Sequence, residues 1–377
     1  MMTKTLRSST ICLTKKFLLM RPHFALFLFA LIGLLSCNNQ SSNQSVVGVT
    51  DSTSTDSAVV RPVIVTDSVV HDTDDPAIWI NPQDPSKSLI IGTDKDADGG
   101  LYVFDLAGKI QRDKFIKLKR PNNVDIAYGL MLSGKATDIA VVTEREANKI
   151  RIFSLPDMKV VDAGGMEVFK GDSAQAPMGI ALYTRPSDKA IFAIVGRKTG
   201  PAAGYLWQYR LADDGKGNVK AELVRKFGEY SGKKEIESIA VDNEMGYVYY
   251  SDEQVGIRKY YADPDSSDTE LTLIPNKGFT EDNEGISIYK TGPNTGYILV
   301  SDQGADKFHI FKREGSQADP HAHELVKIVK VAADQSDGSD VTNVALSAQF
   351  PKGLFVVMSE GKVFHYYKWE DIIGKSN

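Results

Sequence analysis

The sequence predicts an all-β fold, a six-bladed β-propeller with four antiparallel strands per blade, and three observations lead there. From about residue 58 the chain runs in apolar segments of five to seven residues, rich in Val, Ile and Tyr and broken by Gly, Asp, Asn and Pro. Such segments read as short strands and turns, with little helical periodicity. One line then recurs six times: Pro76-Ala77-Ile78-Trp79, Asn123-Val124-Asp125-Ile126, Gly179-Ile180-Ala181-Leu182, Ser238-Ile239-Ala240-Val241, Gly285-Ile286-Ser287-Ile288 and Asn343-Val344-Ala345-Leu346. The copies lie 47 to 59 residues apart, which suits four strands per blade and is far longer than one turn of a β-solenoid. A β-sandwich, the plainer all-β alternative, has no need of six equivalent repeats.

Taken in order, residues 1–37 read as an export signal. They carry Lys4, Arg7, Lys15, Lys16 and Arg21, no acids, and an apolar run from Phe24 to Leu35 that is shorter than the roughly 20 residues a membrane-spanning helix needs. The run ends in Leu34-Leu35-Ser36-Cys37, which resembles the lipobox of bacterial lipoproteins, so Cys37 is expected to become the acylated N-terminus. An ordinary secretory signal is the alternative, and Met20 is a second possible start. Residues 38–57, rich in Asn, Ser, Gln and Thr, read as a flexible tether. Residues 58–377 form one propeller domain.

The chain holds two cysteines, and Cys12 leaves with the signal, so no intramolecular disulfide is expected and stability must come from the core or from bound ions. Without the five leader bases, 39 Lys and Arg face 49 Asp and Glu, an acidic surface that argues against nucleic acid and has capacity for cations. A monomer is expected, exported to the cell envelope and held at a bacterial membrane, periplasmic or at the surface, by the lipid on Cys37.

Each first strand is followed by a second (Leu89 to Thr93, Ile139 to Thr143, Ile191 to Gly196, Tyr247 to Ser251, Tyr297 to Ser301, Leu354 to Met358) and then a third (Leu101 to Asp105, Ile150 to Ser154, Tyr205 to Tyr209, Ile257 to Tyr260, Phe308 to Phe311, Val363 to Tyr366). Val59 to Val70 is expected to complete the last blade and lock the ring.

Equivalent positions in six blades must form rings around the axis. The residues before the first strands are Asp75, Asn122, Met178, Glu237, Glu284 and Thr342; those just beyond the second strands are Lys95, Arg145, Lys198, Glu253, Gln303 and Glu360. Antiparallel neighbours open both sets on one face. Blades one to three contribute Lys95, Arg145 and Lys198, whereas the acids fall in blades four to six, joined by Asp282 and the Asp74-Asp75 pair. Like charges so gathered repel unless neutralised. An all-oxygen cluster suits hard cations, Ca²⁺ above all, and the basic arc suits a polyanion, which Arg145 can grip bidentately.

Asp74-Asp75-Pro76-Ala77-Ile78-Trp79, continuing through Asn81-Pro82 and Pro85 to Gly92-Thr93-Asp94-Lys95, together with Asn122-Asn123-Val124-Asp125-Ile126, resembles the β-propeller (alkaline) phytases. Asp282-Asn283-Glu284-Gly285, Ser301-Asp302-Gln303-Gly304 and Trp369-Glu370-Asp371-Ile372 extend the likeness over residues 60 to 373. The resemblance implies a calcium-dependent, 3-phytase-like phosphoric monoester hydrolase that releases phosphate from myo-inositol hexakisphosphate (phytate) by water attack. Lys95, Arg145 and Lys198 would hold the scissile phosphate, with Gln303 beside them in the substrate site. Glu237, Glu253, Asp282, Glu284 and Asp74 would hold calcium. Asp75, the carbonyls of Pro76 and Val124, and Asp337 would form a structural calcium site. Ions there would acidify the attacking water and offset charge on the phosphate oxygens.

Three positions depart from the family pattern. Met178 replaces a usual tyrosine, Thr342 or Asn343 a usual aspartate, and Thr199 follows Lys198 where an acid is common; these leave the number of active-site calcium ions open. Two readings from other classes stand beside the enzyme: a noncatalytic, calcium-stabilised propeller that captures a polyanion, and a propeller lactonase or esterase, against which the basic trio argues. Asp94 to Gly100 lacks the glutamate of an EF-hand and reads as a turn. His321 and His323 read as solvated loop residues, with transition-metal binding as the alternative.

Overall fold

In the computed structural model, residues 58–374 are described; the segments expected to be an export signal ending at Cys37 and a tether lie outside them. Innermost strand first, the six antiparallel sheets are Thr73–Trp79, Leu89–Asp94, Gly100–Phe104 and Ile116–Lys117; Pro121–Leu132, Lys135–Glu144, Lys149–Ser154 and Met166–Glu167; Pro177–Thr184, Ile191–Arg197, Ala203–Asp213 and Val219–Glu229; Ile239–Asp242, Tyr247–Asp252, Gly256–Tyr261 and Thr272–Pro275; Asn283–Gly292, Thr295–Asp302, Lys307–Lys312 and Leu325–Lys330; and Ser339–Thr342, Leu354–Ser359, Val363–Lys368 and Ile64–Val65. In the second sheet the short Lys159–Val160 also pairs the third strand. The protein is the expected six-bladed propeller.

The ring closes as expected. Ile64 and Val65 pair with Tyr366 and His365, and the amides of Val63, Thr66 and Val69 donate to the carbonyls of Tyr366, Phe364 and Lys362. The fourth strand of the last blade therefore comes from the start of the domain.

The second strands are apolar without alternation because both faces of every sheet are buried. Side chains alternate sides along a strand, so in the second blade Ile139 and Val141 pack toward blade three while Ala140 and Val142 pack toward blade one. Six apolar clusters result, one between each pair of neighbouring blades.

The sixth repeat is framed differently from the sequence expectation. The innermost strand is Ser339–Thr342, with Ser339 opposite Val357, as Pro76 lies opposite Gly92 in the first blade. Asn343 to Leu346 lies beyond it, and Leu346 fills the cluster between blades six and one from a loop. The polar line Asp337-Gly338-Ser339-Asp340 hid a strand that faces the tunnel, while an apolar loop imitated one. The same register corrects two members of the first ring: Asp337 takes the place expected for Thr342, and Asp74 the place expected for Asp75, beside Asn122, Met178, Glu237 and Glu284.

Candidate active site

Four innermost strands begin with a bulge. In blades one, two, three and five the register skips so that Asp74-Asp75, Asn122-Asn123, Met178-Gly179 and Glu284-Gly285 each oppose a single residue of the second strand. A bulge re-aims consecutive side chains. Asp74 therefore turns to the mouth and meets Lys95, while Asp75 turns to the neighbouring blade, where its Oδ2 accepts the Val124 amide at 3.0 Å. Next to the ring position stands a glycine where blades approach closely: a Cβ on Gly338 would lie 2.5 Å from Asp75 Oδ1, and one on Gly179 2.2 Å from the Glu237 carbonyl.

The second ring is held by one repeated bond. The amides of Lys95, Arg145, Lys198, Glu253, Gln303 and Glu360 donate to the carbonyls of Asp72, Arg120, Ala176, Glu235, Asp282 and Asp334, the segments leading into each innermost strand. Both rings thus open on one face.

At its centre Lys95 Nζ contacts Asp74, sits 3.0 Å from Asp337 Oδ2 and 4.0 Å from Glu237 Oε1. Burial alone would lower the Lys95 pKa, but the three acids hold it well above the usual lysine range. Burial holds the Asp74 carboxyl well above its ordinary value, Lys95 opposing. Asn122 links the halves: its Nδ2 donates to Asp74 Oδ2 at 2.9 Å and to Glu237, and its Oδ1 accepts from Arg145, whose Nη2 is 3.6 Å from Glu237 Oε1. Gln303 donates to Asp337. Lys198 stands at the rim, about half exposed, 2.6 Å from Glu235.

The second focus is acidic. One carboxylate oxygen from each of Glu253, Asp282 and Glu284, all buried, lies within 4.8 Å of the other two. Burial pushes Glu253 up to about 7, with Lys234 opposing and Glu237 adding; burial and then the neighbouring acids Asp337, Glu237 and Glu253 hold Glu284 well above its usual range. Glu253 Oε1 and Glu284 Oε2 are buried with no hydrogen-bond partner among the described residues. Unpaired, desolvated oxygens are costly, and an all-oxygen donor set fits a hard divalent cation.

Most sequence candidates converge here: Lys95, Arg145, Glu237, Glu253, Asp282, Glu284, Asp74, Asp337 and Gln303. Others stand apart from this group or make contacts the sequence did not foretell. The Asp337 carboxylate meets Lys95 and Gln303, and Asp75, Pro76 and Val124 line the tunnel below the mouth. The basic and acidic arcs are not separate, because long side chains cross the narrow mouth and pair. Met178 is fully buried, and its carbonyl accepts from Thr143 Oγ1 at 2.6 Å. Glu360 is exposed. His321 and His323 are not simply solvated: they stack edge-on against Tyr247 and Tyr249, with Lys259 Nζ 3.1 Å from His323 Nε2.

Sequence reasoning missed Lys234, a cation seated among the acids, three residues before Glu237. It also missed Asn122 as the residue that orients Arg145; the signal was its place in the first ring.

A mouth that faces an ammonium and a guanidinium toward a carboxylate cluster can bind a phosphate and a cation side by side. Sequence comparison agrees. The phytase family profile matches residues 23–366. The chain is also 30% identical over 320 residues to the 3-phytase of Bacillus subtilis (strain 168), an alignment covering 79% of this chain and 80% of that protein. The protein described here belongs to the phytase family.

Proposed function

We propose that the protein is a calcium-dependent phosphomonoesterase that hydrolyses phytate to lower inositol phosphates and inorganic phosphate. The observation that carries this reading is that Lys95 and Arg145 stand at one mouth with buried acids whose oxygens Glu253 Oε1 and Glu284 Oε2 lack partners among the described residues. Membership of the phytase family and the 3-phytase relative support the substrate.

Lys95 and Arg145 bind the scissile phosphate's oxygens, Asn122 holds the guanidinium in place, and Lys198 at the rim attracts the polyanion before it seats. Glu237, Glu253, Asp282, Glu284 and Asp74 would hold calcium. Bound there, calcium supplies charge compensation for the phosphate and lowers the pKa of water. No nucleophilic side chain of the protein is required.

The test is phosphate release from phytate by the purified protein with calcium and with a chelator. Activity is expected with calcium alone, and Lys95→Ala and Glu253→Ala should each lose about 10²-fold or more in kcat/KM. Release that is absent, or indifferent to chelation and to both substitutions, overturns the reading.

A further inference from the structure

We propose that Lys234 is a tethered cation that occupies the carboxylate cluster in the metal-free protein and must leave before a divalent ion enters, so that it sets the ion concentration at which the site loads. The inference rests on the reading of Glu253, Asp282 and Glu284 as cation ligands.

The ammonium stands where an ion would. Lys234 Nζ lies 3.1 Å from Glu253 Oε2 and 3.9 Å from Glu284 Oε1, and it contacts Asp282 Oδ2. Three carboxylates that repel one another thereby gain one positive charge. The compensation is incomplete: a single ammonium faces three acids, and Glu253 Oε1 and Glu284 Oε2 stay without a partner among the described residues. A divalent ion carries twice the charge and accepts six to eight oxygens, so it satisfies the same cluster better.

The side chain is also built to leave. Its carboxylate partners are 2 to 9% exposed, whereas the Lys234 side chain is 39% exposed, so the ammonium enters from the solvent side. Its backbone stays pinned without it. Ser231 is held by Asp252 through both its amide and its hydroxyl, Tyr230 Oη donates to the Lys234 carbonyl, and the Glu253 amide donates to the Glu235 carbonyl. Exchange therefore needs rotamer changes along one lysine, with no movement of the blade. A ligand that binds only the vacated state has its affinity reduced by the fraction of molecules in that state.

The test is calorimetric titration of the chelator-stripped protein with Ca²⁺, together with melting curves, for the wild type, Lys234→Met and Lys233→Met. Lys233 is exposed in the same loop and removes the same charge, so it controls for long-range electrostatics. Lys234→Met is expected to bind Ca²⁺ about tenfold or more tightly than Lys233→Met, and to melt lower than the wild type without metal but not when saturated with it. Affinities within twofold of each other, or a weaker Lys234→Met, overturn the role of Lys234 while leaving the calcium site standing. Absence of saturable binding in the wild type and both variants would instead remove the site itself, and the functional reading with it.

Discussion

Asp337 and Thr342 show how much one residue's frame decides. The polar line places Asp337 on Lys95, whereas Thr342 ends the innermost strand away from the mouth. Asp337→Asn is therefore expected to lower phytate hydrolysis about tenfold or more, because Lys95 and Gln303 lose a charged partner. Thr342→Ala should stay within about twofold of the wild type. Steady-state kinetics on the two variants decides between the frames, and the opposite order would restore Thr342 to the ring.

At the scale of elements, closure rests on a short strand and its flanks. Residues 58–66 supply the Ile64 and Val65 pairing, the Val60 and Thr66 amide bonds to Lys330 and Phe364, and a Thr66 hydroxyl that accepts the Phe364 amide. Each such bond contributes about 1 kcal/mol net. Deleting 58–66 should lower the melting temperature by roughly 5 °C or more, and an unchanged melt would show that the ring closes without this strand. The loop of blade five carries a separate pH dependence. Burial, with the neighbouring Lys259 charge, pushes His323 down to about 4, so the folded protein holds it neutral. The unfolded chain takes up that proton first, so this contribution is complete above pH 6.5 and is lost as pH falls toward 4. His323→Gln should accordingly melt below the wild type at pH 7.5, with the gap narrowing at pH 4.5.

Over the whole molecule, acids outnumber bases by five before any processing, yet the cations that matter stand at one mouth. We propose that Cys37 carries a lipid that displays this mouth at the cell envelope. Cys37→Ser should then move the protein from the membrane to the soluble fraction and abolish labelling by a radioactive fatty acid; retained labelling would refute the anchor.

The sequence by itself determined the propeller, its six blades and the closing strand, because apolar runs buried on both faces and a six-fold repeat follow from composition and spacing alone. It also placed the second ring correctly, since each member directly follows a strand whose end is legible from its apolar residues. Tertiary structure decided the rest. The bulges that divide Asp74 from Asp75, the polar strand that brings Asp337 to the mouth, and the reach of Lys234 into the acids depend on contacts between blades. No local pattern encodes which way a bulged side chain turns or how far a lysine extends across a narrow tunnel.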